Sequence, residues 1–285
     1  MALEKGSIKQ LVDRIENVPT LPQVVGRVLA ATQDPKTSAE DVNKIILADQ
    51  ALTAKILKLV NSAFYGFPRR IGTVTEAVVI LGFGTIRNLA ITASVFRSFR
   101  REGKGRFDRT AFWKHCVAVG VVSRIVARQL HLPNREDIFI AGLLHDLGKV
   151  VLDQYLHEEF TTALELVESN NISLYEAEQQ IFGVSHAEVG HWLAEHWNMP
   201  DFLIWSIGFH HRPQEAPENF PVVSLVHIAN AVARYKGIGN GGDPLKPPIR
   251  TEALQRLNFK KELLDQVLER IEEDYQQASD FVSIL

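Results

Sequence analysis

Hydrophobic residues recur along most of the chain at spacings of three and four, which places them on one face of an amphipathic helix. In the first third, such stripes begin at Ile8, Leu21, Val42, Leu52 and Ala77. A tight turn at Gly82–Gly84 divides the last of them from the stripe that follows. Alternating patterns typical of strands are nearly absent. The chain therefore predicts an all-α fold.

The second half continues the helical pattern. Helices are predicted over residues 117–130, 138–156, 159–169, 174–182, 186–197, 201–209 and 222–234, with a final amphipathic helix around 264–271. The segment 236–248 carries turn residues throughout and is predicted to be irregular. We predict a helical subdomain over residues 1–100, a second over 101–235, and a loop and C-terminal helix over 236–285 that pack on the core.

Composition excludes several classes of protein. The 285 residues are 46% hydrophobic and 23% charged, which is enough apolar material for a sizeable core. A net charge of -3 argues against a nucleic-acid binder, and one cysteine excludes an internal disulfide. There is no secretory signal pattern and no uninterrupted apolar stretch near the roughly 20 residues that span a bilayer. We expect a cytoplasmic protein without membrane insertion.

The histidines suggest chemistry. His145 and Asp146 are adjacent, and adjacent helical residues point about 100° apart, so both reach one metal only near a helix end or bend. Gly148 permits such a bend. Imidazole nitrogen with carboxylate oxygen suits iron, manganese, zinc or nickel. Further candidate ligands are His115, His186, His210 and His211.

The order of these residues resembles the HD superfamily of metal-dependent phosphohydrolases. The segments at residues 18–66 and 75–91 are similar to the HDOD family, whose members are HD-related output domains of bacterial signalling proteins. The resemblance covers residues 8–234. It implies an all-helical regulatory protein with an HD-like second subdomain that acts through contacts with signalling partners. Partner identity and homodimerisation stay open.

The ligand series is also similar to that of the HD-GYP phosphodiesterases, with two departures. The Gly-Tyr-Pro loop expected after His210-His211 is replaced by RPQEAPENFP, which puts cyclic-dinucleotide hydrolysis in doubt. The terminal acidic ligand of that family aligns with Asn230, a degenerate ligand position. The resemblance therefore implies a reduced HD pocket.

Charge limits the number of ions. With Asn230 neutral, Asp146 is the single carboxylate among the proposed ligands, and two divalent ions would leave a net charge of about +3 in a partly buried pocket. One ion leaves about +1. We expect one divalent transition metal, held by His115, His145 and Asp146 together with His186 or His210, and a second ion only if an external anion compensates.

Three functions remain open. The leading hypothesis is a regulatory protein that works by binding partners. The alternative is a metal-dependent phosphohydrolase, in which Asp146 would activate water and Lys149 or His211 would contact the substrate phosphate. A third is a sensor that binds a ligand without turnover. In the structural alternative, the His145-Asp146 pair is vestigial: Asp146 accepts a hydrogen bond from a protonated His115 or His145 and no ion is needed. Lys149 would then face solvent at the helix end.

Overall fold

The computed structural model describes residues 20–99 and 105–284. The predicted stripe at Ile8 lies outside these residues, as does the predicted boundary between the first two subdomains at residues 100–101. The described helices are α1 (Gln23–Gln33), α2 (Ala39–Leu47), α3 (Gln50–Val60), α4 (Val74–Ser98), α5 (Arg109–Gln129), α6 (Arg135–Leu144), α7 (Leu147–Tyr155), α8 (His157–Asn170), α9 (Leu174–Phe182), α10 (His186–His196), α11 (Asp201–Phe209), α12 (Phe220–Lys236), α13 (Thr251–Arg256) and α14 (Lys261–Ile284). No strand occurs among the described residues, and the all-α prediction is confirmed.

One helix prediction was wrong, and one short helix was not predicted. The single helix predicted over 138–156 is two helices, because α6 ends at Leu144 and α7 begins at Leu147. Hydrophobic periodicity runs through this break, so the pattern alone did not reveal it. The short helix α13 was missed because its six residues are too few to establish a period. The irregular segment after α12 is confirmed.

The chain divides into two compact units. In the described part, the larger unit comprises residues 105–271, and the smaller unit comprises residues 20–99 with 272–284. The last helix, α14, therefore contributes residues to both units. The three-part division at 1–100, 101–235 and 236–285 stays a prediction.

Local signals explain the helix starts in the smaller unit. Ser38 and Asp41 form a reciprocal capping box at α2, and Asp49 caps α3. Gly82 interrupts α4 with φ 83°, a left-handed conformation that favours glycine, which confirms the predicted turn. The smaller unit also contains a packed aromatic pair, Phe64 and Phe281, with ring centroids 5.3 Å apart.

Glycines bring the helices of the larger unit close together. A Cβ on Gly142 of α6 would lie 2.8 Å from the Cα of Gly120 on α5. A Cβ on Gly148 of α7 would lie 1.9 Å from the carbonyl oxygen of His186 at the start of α10. Side chains at these positions would push the helices apart. The glycines therefore let α5, the α6–α7 break and α10 meet at one place.

Two described helices are long and apolar enough to cross a membrane by length and composition alone. They are α4 and α5. The most apolar 18-residue segment is 61% buried inside the fold in α4 and 72% buried in α5. The buried core helices of folded domains pass the same test, so these helices carry no argument for insertion.

Candidate metal centre

The break between α6 and α7 presents the His145-Asp146 pair. His145 follows the last residue of α6, and Asp146 occupies the N-cap position of α7. An N-cap aspartate commonly accepts a hydrogen bond from the first turn of its helix. Asp146 makes no such bond, although it is fully buried. Its carboxylate instead faces a group of imidazoles and one ammonium.

The fold fixes the orientation of three of these imidazoles. The Nδ1 of His145 lies 2.8 Å from the carbonyl of Gly142, and the Nδ1 of His210 lies 3.0 Å from the carbonyl of Ile207. The Nδ1 of His186 lies 2.5 Å from a carboxylate oxygen of Glu178. Carbonyl and carboxylate oxygens only accept, so each Nδ1 donates its proton. In their neutral forms, all three rings therefore present an Nε2 lone pair to the pocket, as metal-ligating histidines commonly do.

The ring nitrogens surround both oxygens of Asp146. His186 and His210 place Nε2 at 3.1 and 3.4 Å from Oδ1. His145 and His115 place Nε2 at 3.3 and 3.9 Å from Oδ2. The structure therefore brings together the five residues that the sequence indicated as metal ligands.

His211 joins the same cluster. Its Nε2 lies 2.9 Å from the Nε2 of His186, and its side chain is partly exposed. Two overlapping sets of ligand atoms result, with all atoms in each set within 4.8 Å of one another: Asp146, His186, His210 and His211, and separately His115, His145 and Asp146. The assignment of His211 to substrate contact stays a prediction.

The polar atoms of this pocket fit a metal ion. Among the described residues, four buried atoms of the cluster have no hydrogen-bond partner: His115 Nε2, His145 Nε2, His210 Nε2 and Asp146 Oδ1. Leaving such groups unpaired costs about 1–3 kcal/mol each. Three imidazole nitrogens and a carboxylate oxygen are ligands that zinc, iron and nickel favour. The hydrogen bonds expected for a vestigial pair, from His115 or His145 to Asp146, are not made through Nε2.

Lys149 neutralises Asp146 from within the pocket. Its Nζ lies 2.7 Å from Asp146 Oδ2 and donates a second hydrogen bond, of 2.9 Å, to the carbonyl of Gly241. Only 4% of Lys149 is exposed, so the alternative of a solvent-facing lysine is wrong. The side chain closes one side of the cluster.

A glycine-rich loop covers this side of the pocket. We call residues 237–245 the glycine strap. Arg234 holds it through an ion pair of 2.9 Å with Asp243, and the amide of Asn240 donates to the carbonyl of Ala111 on α5. A Cβ on Gly241 would lie 3.3 Å from both the His115 ring and Lys149 Nζ. The sequence predicted an irregular segment here but gave no functional account of it.

The glycine strap depends on close contact at Gly239. This residue has φ +70°, and an added Cβ would lie 2.2 Å from the backbone nitrogen of His115. We expect Gly239→Ala to displace the strap and to speed hydrogen exchange at the Asn240 amide. Gly237→Ala is the matched control, because Gly237 also has φ +70° but has no atom within 4 Å of its Cβ position. Equal exchange in the two variants would contradict the close-contact account.

Burial and charge set the protonation of the cluster. Burial lowers the pKa of His115, His210 and His211, that of His210 to about 3, so these rings are neutral near pH 7. Burial opposes the charge on Asp146, but His145 and Lys149 outweigh it and hold its pKa well below the usual value. Neutral imidazoles and an ionised carboxylate are the protonation states that metal binding requires. At His186, burial opposes the charge but the Glu178 carboxylate raises the pKa, so an ion that binds this ring competes with a proton.

Two residues that support the site were not predicted from the sequence. Glu178 on α9 is fully buried and accepts hydrogen bonds from both the Nδ1 and the backbone amide of His186. His227 on α12 donates from Nδ1 to the carbonyl of His210, and its Nε2 accepts from the amide of Arg250. A charged residue on the buried stripe of α9 was the available signal for Glu178.

The remaining sequence candidates are buried. Asn230 lies one turn beyond His227 on α12, and its Oδ1 has no hydrogen-bond partner among the described residues. Its assignment to the degenerate ligand position stays a prediction. Cys116 is buried beside His115, and burial raises the pKa of its thiol well above the usual value, so it stays protonated as a small core residue.

Comparisons with known proteins show which family this chain resembles. The sequence model of the HDOD domain family matches residues 18–213 of this chain. An uncharacterized protein of Treponema pallidum (strain Nichols) is 31% identical over 227 residues, which are 79% of this chain and 44% of that protein. The chain thus spans less than half the length of this curated relative.

Solved structures share the fold. The crystal structure of an HDOD domain protein of unknown function from Geobacter sulfurreducens has a TM-score of 0.74 and 28% identity, with 98% of this chain and 95% of that chain covered. The structure of a Shewanella amazonensis protein, provisionally described as a phosphohydrolase, has a TM-score of 0.72 and 22% identity, with 96% of this chain and 97% of that chain covered. At this identity the likeness supports a shared fold and nothing more. The likeness to HD-GYP ligand residues stays a prediction. The family model covers more than two thirds of the residues and the Geobacter structure covers the whole architecture, so this chain belongs to the HDOD family.

Proposed function

We propose that this protein is a metal-binding regulatory HDOD protein, whose pocket holds one divalent transition metal and whose output is a contact with a signalling partner. The observation that carries the metal assignment is the set of buried, unpartnered atoms around Asp146: three imidazole nitrogens and one carboxylate oxygen. An ion bound at the group formed by Asp146, His186, His210 and His211 would satisfy His210 Nε2 and Asp146 Oδ1, and one at the group formed by His115, His145 and Asp146 would satisfy the other two nitrogens. Zinc, iron, manganese and nickel are the candidates that fit this mixture of nitrogen and oxygen.

Burial of the cluster supports a regulatory role over catalysis. His115, His145, Asp146 and His210 are each at most 1% exposed, and the glycine strap covers the Lys149 side. A phosphodiester substrate would have to enter beside His211, the one cluster member that is partly exposed. As part of this proposal the protein works in the cytoplasm through protein contacts, without membrane insertion or nucleic-acid binding, and a homodimer remains open.

A metal-dependent phosphohydrolase is the second candidate. Two sets of ligand atoms share Asp146, and each set could hold one ion. When bound, such ions would supply a hydroxide at neutral pH and polarise a phosphate. Lys149 would then have to leave Asp146 Oδ2, where it now neutralises the carboxylate.

Metal content per chain tests the proposal. Protein purified without chelators or a histidine tag is expected to carry about one equivalent of a divalent transition metal, as a single site of this donor set would bind. Asp146→Asn is expected to remove it. Asp153→Asn is the matched control, a buried aspartate of the same helix that pairs with Arg109 and His157 outside the pocket, and it is expected to keep the metal.

Two outcomes would contradict the proposal. The first is a folded wild-type protein that stays metal-free after incubation with zinc, iron, manganese and nickel. The second is full metal content in Asp146→Asn. The loaded protein is also assayed with bis(p-nitrophenyl) phosphate, and turnover that Asp146→Asn abolishes and Asp153→Asn retains would favour the phosphohydrolase.

A further inference from the structure

The two oxygens of Asp146 have different surroundings. Oδ2 accepts a hydrogen bond from Lys149 at 2.7 Å, with His145 and His115 further away. Oδ1 has no hydrogen-bond partner, although the Nε2 atoms of His186 and His210 lie 3.1 and 3.4 Å from it. One oxygen of the carboxylate is therefore already neutralised, and the other faces imidazole nitrogens alone.

A second carboxylate lies behind the His186 ring. Glu178 is fully buried, and a single oxygen, Oε2, accepts from both the backbone amide and the Nδ1 of His186, at 2.8 and 2.5 Å. Two donors from one residue to one acceptor fix both the position and the rotation of the ring. The proton is held on Nδ1, so Nε2 of the neutral ring keeps its lone pair toward Asp146 Oδ1.

The two sides of the pocket differ in their contact with Lys149, which touches Asp146 at Oδ2. An ion beside His115 and His145 would approach the ammonium of Lys149, which repels it. An ion between Asp146 Oδ1 and His186 Nε2 would lie beside the carboxylate oxygen that Lys149 does not contact, with the Glu178 carboxylate on the opposite edge of the His186 ring. His211 reaches the same side, with its Nε2 2.9 Å from that of His186, and it is partly exposed, so an ion has a way in.

We propose that Glu178 is the positioning residue of the metal pocket: it presents His186 as a ligand and draws the ion to the side formed by Asp146 Oδ1, His186, His210 and His211. This inference rests on the proposed function and specifies it. It adds a buried carboxylate close to the pocket, while Asp146 stays the single carboxylate among the proposed ligands. An ion on this side would contact Asp146 directly and would have the negative charge of Glu178 across the His186 ring.

Binding of Zn²⁺ alone, measured by competition with a chromogenic chelator, tests the role of Glu178. Glu178→Gln keeps the shape of the side chain and removes its charge, and we expect Zn²⁺ affinity to fall about 10–100-fold. Glu188→Gln is the matched control, because Glu188 serves the capping box of α10 beside the same histidine. It is expected to bind Zn²⁺ as the wild type does. Glu178→Asp should restore part of the lost affinity.

Two further readouts separate positioning from a merely structural role. The ¹⁵N chemical shifts of the His186 ring should report a proton on Nδ1 in the wild type and a mixture of tautomers in Glu178→Gln. His211→Ala should weaken Zn²⁺ binding more than His115→Ala does, because His211 lies on the proposed side. This comparison still decides the location of the ion if Glu178→Gln does not fold.

The outcomes distinguish this inference from the function on which it rests. Wild-type affinity in folded Glu178→Gln, or a larger loss in His115→Ala than in His211→Ala, would overturn the inference and leave the metal pocket standing. A wild-type protein that binds no Zn²⁺ would overturn both. Loss of affinity in Glu178→Gln and His211→Ala, with Glu188→Gln unaffected, is the expected result.

Discussion

Gly148→Ala is expected to destabilise the larger unit by about 3 kcal/mol or more and to disrupt the metal pocket. The added Cβ would lie 1.9 Å from the carbonyl oxygen of His186 and 2.8 Å from the amide nitrogen of Gly190. Both neighbours are backbone atoms, so no side-chain rotation relieves the clash and α7 must move away from α10. Because Asp146 and His186 lie at the starts of these helices, the movement separates them.

The measurement is thermal unfolding with Zn²⁺ binding on the same samples. Gly26→Ala is the control for the substitution itself, because a Cβ at Gly26 of α1 meets no atom within 4 Å. In an open helix position the change from glycine to alanine stabilises by about 0.5–1 kcal/mol. Wild-type stability and Zn²⁺ affinity in Gly148→Ala would refute the close approach of α7 and α10.

Acid is expected to unfold the metal-free protein. Burial lowers the pKa of His115, His210, His211 and His227 in the folded state, that of His210 to about 3. Below the unfolded value of about 6.5, the unfolded chain binds protons that the folded chain excludes. Stability is therefore present above about pH 6.5 and lost as the pH falls, by as much as about 1.4 kcal/mol per pH unit for each such histidine.

His186 behaves in the opposite way. Burial opposes its charge, but the carboxylate of Glu178 outweighs burial and raises its pKa in the folded state. The contribution of His186 to folding stability is complete below about pH 6.5 and is lost as the pH rises through the raised pKa. It therefore does not offset the loss of stability that the other histidines cause as the pH falls. Natural domains have about 5–15 kcal/mol of stability. Several histidines acting together are therefore expected to exhaust it within a few pH units.

Urea denaturation at a series of pH values between 7 and 4 measures this slope. His211→Gln removes one of the titrating rings and is expected to reduce the proton uptake on unfolding by about one. A free energy of unfolding that stays constant from pH 7 to pH 5 would contradict the account, because it would mean that the buried rings are protonated in both states.

Local patterns predicted much of the fold. Hydrophobic periodicity and the capping box at Ser38 placed most described helices of both units, and Gly82 marked the turn in α4. The break between α6 and α7 at His145-Asp146 could not be predicted from periodicity, because apolar residues on both sides continue one helical stripe. The chemistry of that pair suggested a bend where periodicity did not.

The site was predictable as far as its residues form a recognisable series. The order from His115 through His145-Asp146 to His210 indicated the cluster that the structure brings together. Glu178 was missed because its partner is in another helix, and the glycine strap because turn residues do not reveal what a loop covers. The position of Lys149 could not be predicted, because a lysine near the start of a helix can face solvent or pair with an acidic neighbour. The structure shows that it pairs with Asp146.

Anomalous X-ray diffraction at the zinc edge, on crystals of Zn²⁺-loaded protein, tests the central claim most directly. We predict one strong peak in the larger unit, beside Asp146 Oδ1 and within bonding distance of the Nε2 atoms of His186 and His210. The absence of a peak from the pocket of loaded protein would contradict the metal-binding function. A peak between His115 and His145 would keep that function and refute the role assigned to Glu178.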